Sequence, residues 1–198
     1  MMSGRPGAAG TTGTAEAAGR LTDRGIPSPE VCVVLGSGLS SFAERVESAV
    51  FVPYSEIPGF PLPAVGGHAG AAVGCRIAGR SVLVLSGRVH HYEGFSVEQV
   101  TFGVRLASAL GAGRLIVTNA SGGLDPGFSV GDLMVVRDQI SAVSGPRGLP
   151  GPTFRMAGAY SRRLSSAALD AAASRGVRTR EGVYMGSLGP SYETPAEI

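Results

Sequence analysis

Short apolar runs that end directly in turns of glycine and other small residues constrain this sequence most. The first run, residues 31–35 (VCVVL), is followed at once by Gly36, Ser37 and Gly38. A run of this length predicts a buried strand, and the glycines predict the tight turn in which it ends. Similar runs predict further strands at residues 49–53, 71–75, 81–85, 115–118, 133–136 and 183–185.

Helices are predicted between these strands. Apolar residues recur at helical spacing in residues 97–110 and 161–174, and another helix is predicted from about residue 15 to Gly25. Because strands and helices alternate, we predict the α/β class: a single domain with a central mixed β-sheet flanked by helices. The glycine-rich residues 1–12 are expected to be a disordered tail before a domain at residues 13–198.

The last residues, TPAEI, have the pattern of a helix start. Thr194 suits the N-cap, Pro195 suits the first turn, and Glu197 lies three residues after Thr194, as in a capping box. One helical turn is not stable alone, because helix nucleation is unfavourable. We therefore expect the C-terminal part of the domain to be missing from this chain.

Charge and cysteine content exclude several classes of protein. The 17 basic and 15 acidic side chains give a formal net charge of +2, and so close a balance does not indicate a nucleic-acid partner. All 17 basic residues are arginine, so Schiff-base and P-loop lysines are excluded. Cys32 and Cys75 lie in apolar runs and are interpreted as buried free thiols. The spacing of the cysteines and the three histidines argues against a zinc site.

No apolar run of this sequence approaches the roughly 20 residues of a membrane span. The N-terminal residues also lack the apolar stretch of a secretory signal peptide. The sequence therefore predicts a cytoplasmic protein with no membrane partner.

Two of the strand-end turns are candidate ligand sites. The turn at residues 36–38 exposes backbone N–H groups and the Ser37 hydroxyl, which suits an oxyanion such as phosphate; a plain tight turn is the alternative. The turn after the strand at 115–118 contains Asn119, Ala120, Gly122 and Gly123, and small residues let a ligand approach the backbone closely. Its alternative is a turn that needs glycine only for its conformation.

A polar loop, residues 87–94 (GRVHHYEG), follows the strand at 81–85. Ligands of α/β sheets bind outside the carboxyl ends of the strands, which is where this loop lies. Alternation predicts that Arg88, His90 and Tyr92 point to one side and that Glu93 points to the other. Arg88 and His90 suit an anion, and Tyr92 suits a ring, although a solvated polar loop is the alternative reading.

Two further candidates stand apart from these turns. His68 lies among glycines, and a lone histidine is more often structural than functional. Tyr192 and Glu193 directly precede the Thr194 cap; a tyrosine can stack on a planar ring while a carboxylate accepts its N–H groups. The alternative for Glu193 is an ordinary acidic residue beside a helix N-terminus.

Taken together, five motifs in one order resemble a single family, the trimeric purine nucleoside phosphorylases. They are LGSGL at 35–39, IPGFP at 57–61 with HAG at 68–70, GRVH at 87–90 with YEG at 92–94, VTNA at 117–120 with GGL at 122–124, and GPSYETPAE at 189–197. The resemblance covers about residue 20 to the end of the sequence.

The resemblance implies a homotrimer that catalyses reversible phosphorolysis of purine nucleosides and deoxynucleosides. The products are the free base and (deoxy)ribose 1-phosphate; phosphate is a co-substrate, and no cofactor or metal is implied. It assigns phosphate binding to Ser37, His68, Arg88, His90 and the Ala120 backbone. It assigns the nucleoside to Tyr92, Tyr192, Glu193 and Phe154, the last from a neighbouring subunit. His90 and Glu193 are the implied catalytic residues.

Two alternatives stay open at the level of the sequence. One is a non-catalytic, truncated remnant that binds purine or phosphate. The other is an enzyme of the methylthioadenosine phosphorylase type, which is expected to have threonine in the first glycine-rich turn and no carboxylate for a 6-oxopurine. Ser37 and Glu193 favour the purine nucleoside phosphorylase instead.

Overall fold

The structure, a computed structural model, describes residues 12–39, 41–46, 48–62, 70–141, 157–187, 189, 191 and 193–198. The chain divides between Ser121 and Gly122 into two compact units, and each is described by itself. None of the helices in these described residues is long and apolar enough to cross a membrane.

The first unit is built on a five-stranded mixed sheet. Its strands are β1 (Val31–Leu35), β2 (Val50–Pro53), β3 (Ala71–Ile77), β4 (Arg80–Ser86) and β5 (Arg114–Val117), in the order β2-β3-β4-β1-β5. Strand β1 is parallel to both β4 and β5, whereas β2, β3 and β4 are antiparallel neighbours. The predicted α/β class with a mixed sheet is confirmed.

Helices and apolar side chains cover both faces of this sheet at its central strands β1, β3 and β4. The helices are α1 (Thr12–Asp23), α2 (Ser41–Glu44), α3 (Val97–Val100) and α4 (Phe102–Ala109). Side chains alternate along β4: Leu83 and Leu85 join the cluster that includes Phe102 and Leu106, and Val84 joins a second cluster. Burial on both faces explains why β1, β3 and β4 are almost continuously apolar. The edge strand β5 is also apolar, but its Leu115, Ile116 and Val117 are 43%, 48% and 57% exposed.

The second unit contains β6 (Leu133–Ser141), α5 (Arg162–Ala173) and β7 (Thr179–Gly186). Strands β6 and β7 pair in parallel from Leu133↔Thr179 to Ser141↔Gly186, with an irregularity between Val136 and Asp138. Helix α5 begins at Ser161, whose hydroxyl accepts the Leu164 N–H at 3.4 Å, as an N-cap residue does.

Most predicted elements lie near where the sequence placed them, but several differ. Strand β7 begins at Thr179, four residues before the predicted strand at 183–185, and α2 was not predicted. The helix predicted over 97–110 is two helices, because α3 ends at Thr101 before α4 begins. Strand β6 runs five residues further than its apolar run predicts. Residues 194–198 form one turn in which the Glu197 carboxylate accepts both the Thr194 N–H and hydroxyl, so only the carboxylate half of the predicted capping box forms.

Other predictions concern residues outside the described ones or are left untested. Residues 1–11 of the predicted tail lie outside the described residues, and α1 begins at Thr12. The limits predicted for the domain, 13–198, stay a prediction. Cys32 and Cys75 are both buried free thiols, as predicted, and burial raises the pKa of Cys32 to about 12.

Candidate functional site

The carboxyl ends of β1, β4 and β5 lead into the three segments that the sequence predicts to bind a ligand, which begin at residues 36, 87 and 119. Residues Leu35 and Ser86 are paired at the last register position of β1 and β4, and Val34 pairs with Val117 of β5. Because these strands are parallel, their following turns emerge at the same edge of the sheet. The structure therefore brings the Ser37 turn, the Arg88 loop and the Asn119–Ala120 turn together.

Arg88 lies across two of these strand ends. Its Nη1 donates to the Thr118 carbonyl at 3.1 Å and to the Leu35 carbonyl at 3.4 Å. No carboxylate of the described residues forms an ion pair with it. The guanidinium is half-buried and is held by neutral acceptors, so its charge is available to an anion at this edge.

The Ser37 turn fits this role. Gly36 is buried, while Ser37 and Gly38 are exposed, and Gly38 has φ +83°, a conformation that favours glycine. A Cβ on Gly36 would lie 2.6 Å from the Thr118 carbonyl oxygen, so only glycine allows the two backbones to approach this closely. Ala120 is exposed in the turn opposite, where the Asn119 side chain donates to the Ala120 carbonyl at 3.2 Å.

The Glu93 carboxylate orients His90, although alternation along the chain predicted that these two side chains point to opposite sides of the loop. Residues His91–Glu93 form a 3₁₀ turn, and the Glu93 Oε1 lies 2.8 Å from both the His90 backbone nitrogen and His90 Nδ1. The predicted alternation is therefore wrong for Glu93, because the 3₁₀ turn brings the side chains at i and i+3 to one side. The spacing His90-x-x-Glu93 followed by Gly94 was the signal for this capped turn.

This contact fixes which ring nitrogen of His90 faces outward. A carboxylate only accepts hydrogen bonds, so Nδ1 carries the proton that it donates to Glu93. Nε2 is then the ring nitrogen left for a ligand. Tyr92, 48% exposed, stacks on the His90 ring with centroids 4.8 Å apart, which confirms that these two side chains share a side.

In the second unit, Glu193 is exposed and accepts a hydrogen bond from the Ser187 hydroxyl at 2.7 Å. This bond, with a backbone hydrogen bond, lowers the pKa of Glu193 below its ordinary value of 4.5. The carboxylate is therefore ionised at neutral pH and acts as an acceptor. The remaining candidates, His68, Phe154 and Tyr192, lie outside the described residues.

Sequence reasoning missed three polar residues that support the candidates: Glu93, Ser187 and Thr118. The Thr118 hydroxyl accepts the Gly36 N–H at 2.9 Å and so joins the first turn to the end of β5. Only contact geometry identifies Ser187 and Thr118, because nothing in their sequence spacing indicates their partners.

Together the fold and this edge define an α/β protein with a candidate anion site at the ends of parallel strands. The chain belongs to the phosphorylase superfamily, whose family model matches residues 30–198. Its relatives within that superfamily are purine nucleoside phosphorylases, which confirms the resemblance of the five motifs.

Purine nucleoside phosphorylase 1 of Geobacillus stearothermophilus is 46% identical over 195 residues, which are 94% of this chain and 71% of the relative. A purine nucleoside phosphorylase of Schistosoma mansoni solved with inosine is 33% identical at a TM-score of 0.86, covering 94% of this chain and 70% of that one. A purine nucleoside phosphorylase solved with ribose 1-phosphate is 33% identical at a TM-score of 0.88, with 97% and 75% covered.

The chain spans 71%, 66% and 63% of the length of the first three curated relatives it matches.

Proposed function

We propose that this chain catalyses reversible phosphorolysis of purine nucleosides and deoxynucleosides such as inosine and guanosine. The products are the free purine and (deoxy)ribose 1-phosphate. The observation that carries the proposal is the half-buried Arg88, held by two carbonyls and without a described carboxylate partner, between two small-residue turns. The proposal is supported by curated relatives that are purine nucleoside phosphorylases.

The first unit supplies the phosphate contacts in this proposal. Arg88 is a permanently charged, fork-shaped donor that matches phosphate geometry. The Ser37 hydroxyl and the Ala120 N–H add donors from the two flanking turns, His90 contributes Nε2, and His68 is assigned near the same anion. Tyr92, stacked on His90 and half exposed, is assigned to the ribose.

The purine is assigned to Tyr192 and Glu193, and Phe154 of a neighbouring subunit is assigned to the ribose side. Glu193 is ionised and accepts hydrogen bonds, which suits the N1–H edge of a 6-oxopurine. The hydrogen bond from Ser187 holds one carboxylate oxygen and leaves the other for a ligand.

The chemistry follows from where charge develops. Cleavage of the glycosidic bond builds positive charge on the sugar and negative charge on the departing purine. A phosphate held beneath C1′ stabilises the first charge and then forms the new bond to that carbon. Donors and acceptors that are fixed before reaction stabilise such charges most effectively. Phosphate is the co-substrate, and the proposal includes no metal or organic cofactor.

A homotrimer, which rests on the family resemblance, and a cytoplasmic location, which rests on the sequence pattern, complete the proposal. Sedimentation of the purified chain tests the oligomer directly.

The first experiment measures release of hypoxanthine from inosine by the purified 198-residue chain, with and without phosphate. Phosphate-dependent turnover supports the proposal. Binding of phosphate or purine without turnover favours the non-catalytic alternative, and turnover of 5′-methylthioadenosine in place of inosine favours the methylthioadenosine phosphorylase type.

Two variants test the residue assignments. Arg88→Ala is expected to raise the KM for phosphate about 10- to 100-fold, because it removes a charge-assisted contact. Arg76→Ala is the control, since Arg76 is exposed and donates to the Gly79 carbonyl.

Glu193→Ala is expected to abolish the preference for inosine and guanosine, with the exposed Glu181→Ala as its control. Unchanged phosphate dependence in Arg88→Ala would refute the assignment of Arg88, and unchanged inosine kinetics in Glu193→Ala would refute that of Glu193.

A further inference from the structure

Thr118 is the first residue after β5, and four hydrogen bonds meet there. Its backbone N–H and its hydroxyl both donate to the Val34 carbonyl, each at 3.0 Å. The hydroxyl oxygen also accepts the Gly36 N–H at 2.9 Å. Its carbonyl accepts Arg88 Nη1 at 3.1 Å. One residue is thus bonded to both of its neighbouring segments at the edge where the anion is proposed to bind.

The hydroxyl has a role here that a backbone group does not fill. The pairing of β1 and β5 ends at Val34↔Val117, so the Gly36 N–H lies beyond the last residue pair of the two strands. Gly36 is buried, so its N–H needs an acceptor, since an unpaired buried donor destabilises the fold. A threonine hydroxyl donates and accepts at once, and therefore bridges the Val34 carbonyl to the Gly36 N–H.

The same bonds set the spacing of the candidate phosphate contacts. Gly36 directly precedes Ser37, and Thr118 lies two residues before Ala120. A Cβ on Gly36 would lie 2.8 Å from the Asn119 Cα, so the two turns touch at this point. Arg88 is bonded to the residue before each turn, at Leu35 and Thr118. Any displacement of Gly36 from Thr118 would therefore change the distance between the Ser37 hydroxyl and the Ala120 N–H.

We propose that the Thr118 hydroxyl is a positioning group for phosphate, which fixes the Ser37 and Ala120 turns in the arrangement that binds the anion. The inference rests on the proposed function, because it concerns the same site. Thr118 is not assigned a contact with phosphate; it acts through Gly36 and through the backbone that leads to Ala120.

The test compares Thr118→Val, which removes the hydroxyl at nearly constant size, with Thr118→Ser, which retains it. Thr118→Val is expected to raise the KM for phosphate about tenfold, because the Ser37 and Ala120 turns are no longer held together by the hydroxyl, while the KM for inosine stays within twofold. Thr118→Ser is expected to restore the KM for phosphate to within about twofold of the unmodified chain. A purely structural role would instead lower stability without separating the two KM values.

Thr101→Val is the matched control. The Thr101 hydroxyl is also half-buried and also donates to a backbone carbonyl, that of Val97 at 2.8 Å, but it lies between α3 and α4 and accepts no N–H from the strand-end turns. The control is expected to leave the KM for phosphate unchanged. Circular dichroism of each variant reports whether it is folded, and Thr118→Ala replaces Thr118→Val if the valine variant does not fold.

Direct binding of inorganic phosphate, measured by titration calorimetry, separates this inference from the proposed function. If the unmodified chain binds phosphate but does not turn over inosine, a tenfold weaker Kd for Thr118→Val still supports the positioning role. Equal phosphate affinity or equal KM in folded Thr118→Val and the unmodified chain overturns it. A chain that binds no phosphate overturns both proposals.

Discussion

In the first unit apolar side chains cover both faces of the sheet at β1, β3 and β4, whereas the second unit has no such core among its described residues. Among the residues that the structure describes, every buried hydrophobic one lies at or before Leu110. In the second unit Leu133, Ile140 and Val183 are 56%, 58% and 44% exposed. The hydrophobic effect therefore contributes most to the stability of the first unit.

Polar contacts organise the second unit instead. The Asp132 side chain is only 6% exposed and forms ion pairs with Arg178 at 3.2 Å and Arg180 at 3.7 Å. Both arginines donate to the Gly127 carbonyl, and Arg180 lies over the Phe128 ring. This cluster ties the loop before β6 to β7. Strand pairing is thus stabilised by apolar burial in the first unit and by a charged cluster in the second. Substitutions of apolar residues should therefore affect the stability of the first unit more, and substitutions of charged residues that of the second.

The largest expected effect is a cavity in the first unit. Leu106 is fully buried, so Leu106→Ala should lower the free energy of unfolding by about 2–5 kcal/mol. Leu164→Ala, at a half-buried position of α5 in the second unit, should lower it by less than about 1 kcal/mol. Urea unfolding of both variants measures the difference, and equal losses would contradict the comparison.

The second effect is local to the charged cluster. Asp132→Asn keeps the size of the side chain and removes the charge that two arginines share, which should destabilise the β6–β7 pairing by about 1–2 kcal/mol. Hydrogen exchange should then accelerate in β6 and β7 and stay unchanged in β1 and β4. Asp170→Asn, an exposed change on α5, is the control. Uniform acceleration in both units would show that the cluster does not act locally.

The third effect contrasts two tyrosine hydroxyls. Tyr54 is 2% exposed and donates to the Gly87 carbonyl at 2.9 Å, so Tyr54→Phe should lower the free energy of unfolding by about 1 kcal/mol. Tyr160 donates to the exposed Gln139 side chain, so Tyr160→Phe should have less than about half that effect. Thermal unfolding of Tyr54→Phe and Tyr160→Phe measures the ratio of the two losses in unfolding free energy.

The Tyr54 contribution should also depend on pH. Burial, with a smaller contribution from Cys32, raises the pKa of Tyr54 above its ordinary value of 10. A raised pKa of this acid means that its contribution is fully present below pH 10 and is lost as the pH rises toward the native value. Stability measured above pH 10 should therefore fall more steeply for the unmodified chain than for Tyr54→Phe; parallel curves would refute this.

The smallest expected effect is at the surface of the second unit. Ser187→Ala removes the main cause of the lowered pKa of Glu193, so that pKa should rise toward 4.5. Because the native pKa is lowered, the contribution of this hydrogen bond is fully present above pH 4.5 and is lost as the pH falls through the native value. Titration of the carboxyl by NMR measures the change, and an unchanged pKa in Ser187→Ala would assign the shift to the backbone instead.

Much of the first unit could be predicted from short apolar runs. The run at 31–35 became β1 without any change of bounds, because a strand buried on both faces must be apolar at every position. The bounds of β6 could not be predicted in the same way. Its last residues include Arg137, Asp138 and Gln139, which are exposed. Asp138 and Gln139 pair with Val183 and Tyr184 of β7 through the backbone, which does not depend on their side chains, and Arg137 lies at the irregularity in the register.

In the candidate site, too, some features could be predicted from the sequence and others could not. Residue types at the strand ends made Ser37, Arg88 and His90 candidates for an anion site, since small turns and an arginine after parallel strands suggest one, and the family resemblance added Ala120. These assignments stay predictions. The partner of His90 was not predicted correctly, because a 3₁₀ turn replaced the alternation that the strand pattern implied. Contacts between segments distant in sequence, such as Gly36 with Thr118, are not encoded by any local spacing.

The sequence by itself determined the α/β class, the family and the positions of the strand-end turns, because periodicity and short motifs are local properties of the chain. Only the tertiary structure decided that Arg88 is held by carbonyls at the ends of two strands and that Thr118 joins two turns. Those facts depend on strand order and register, which bring residues 82 positions apart into contact. They are decided by packing rather than by any neighbouring residue.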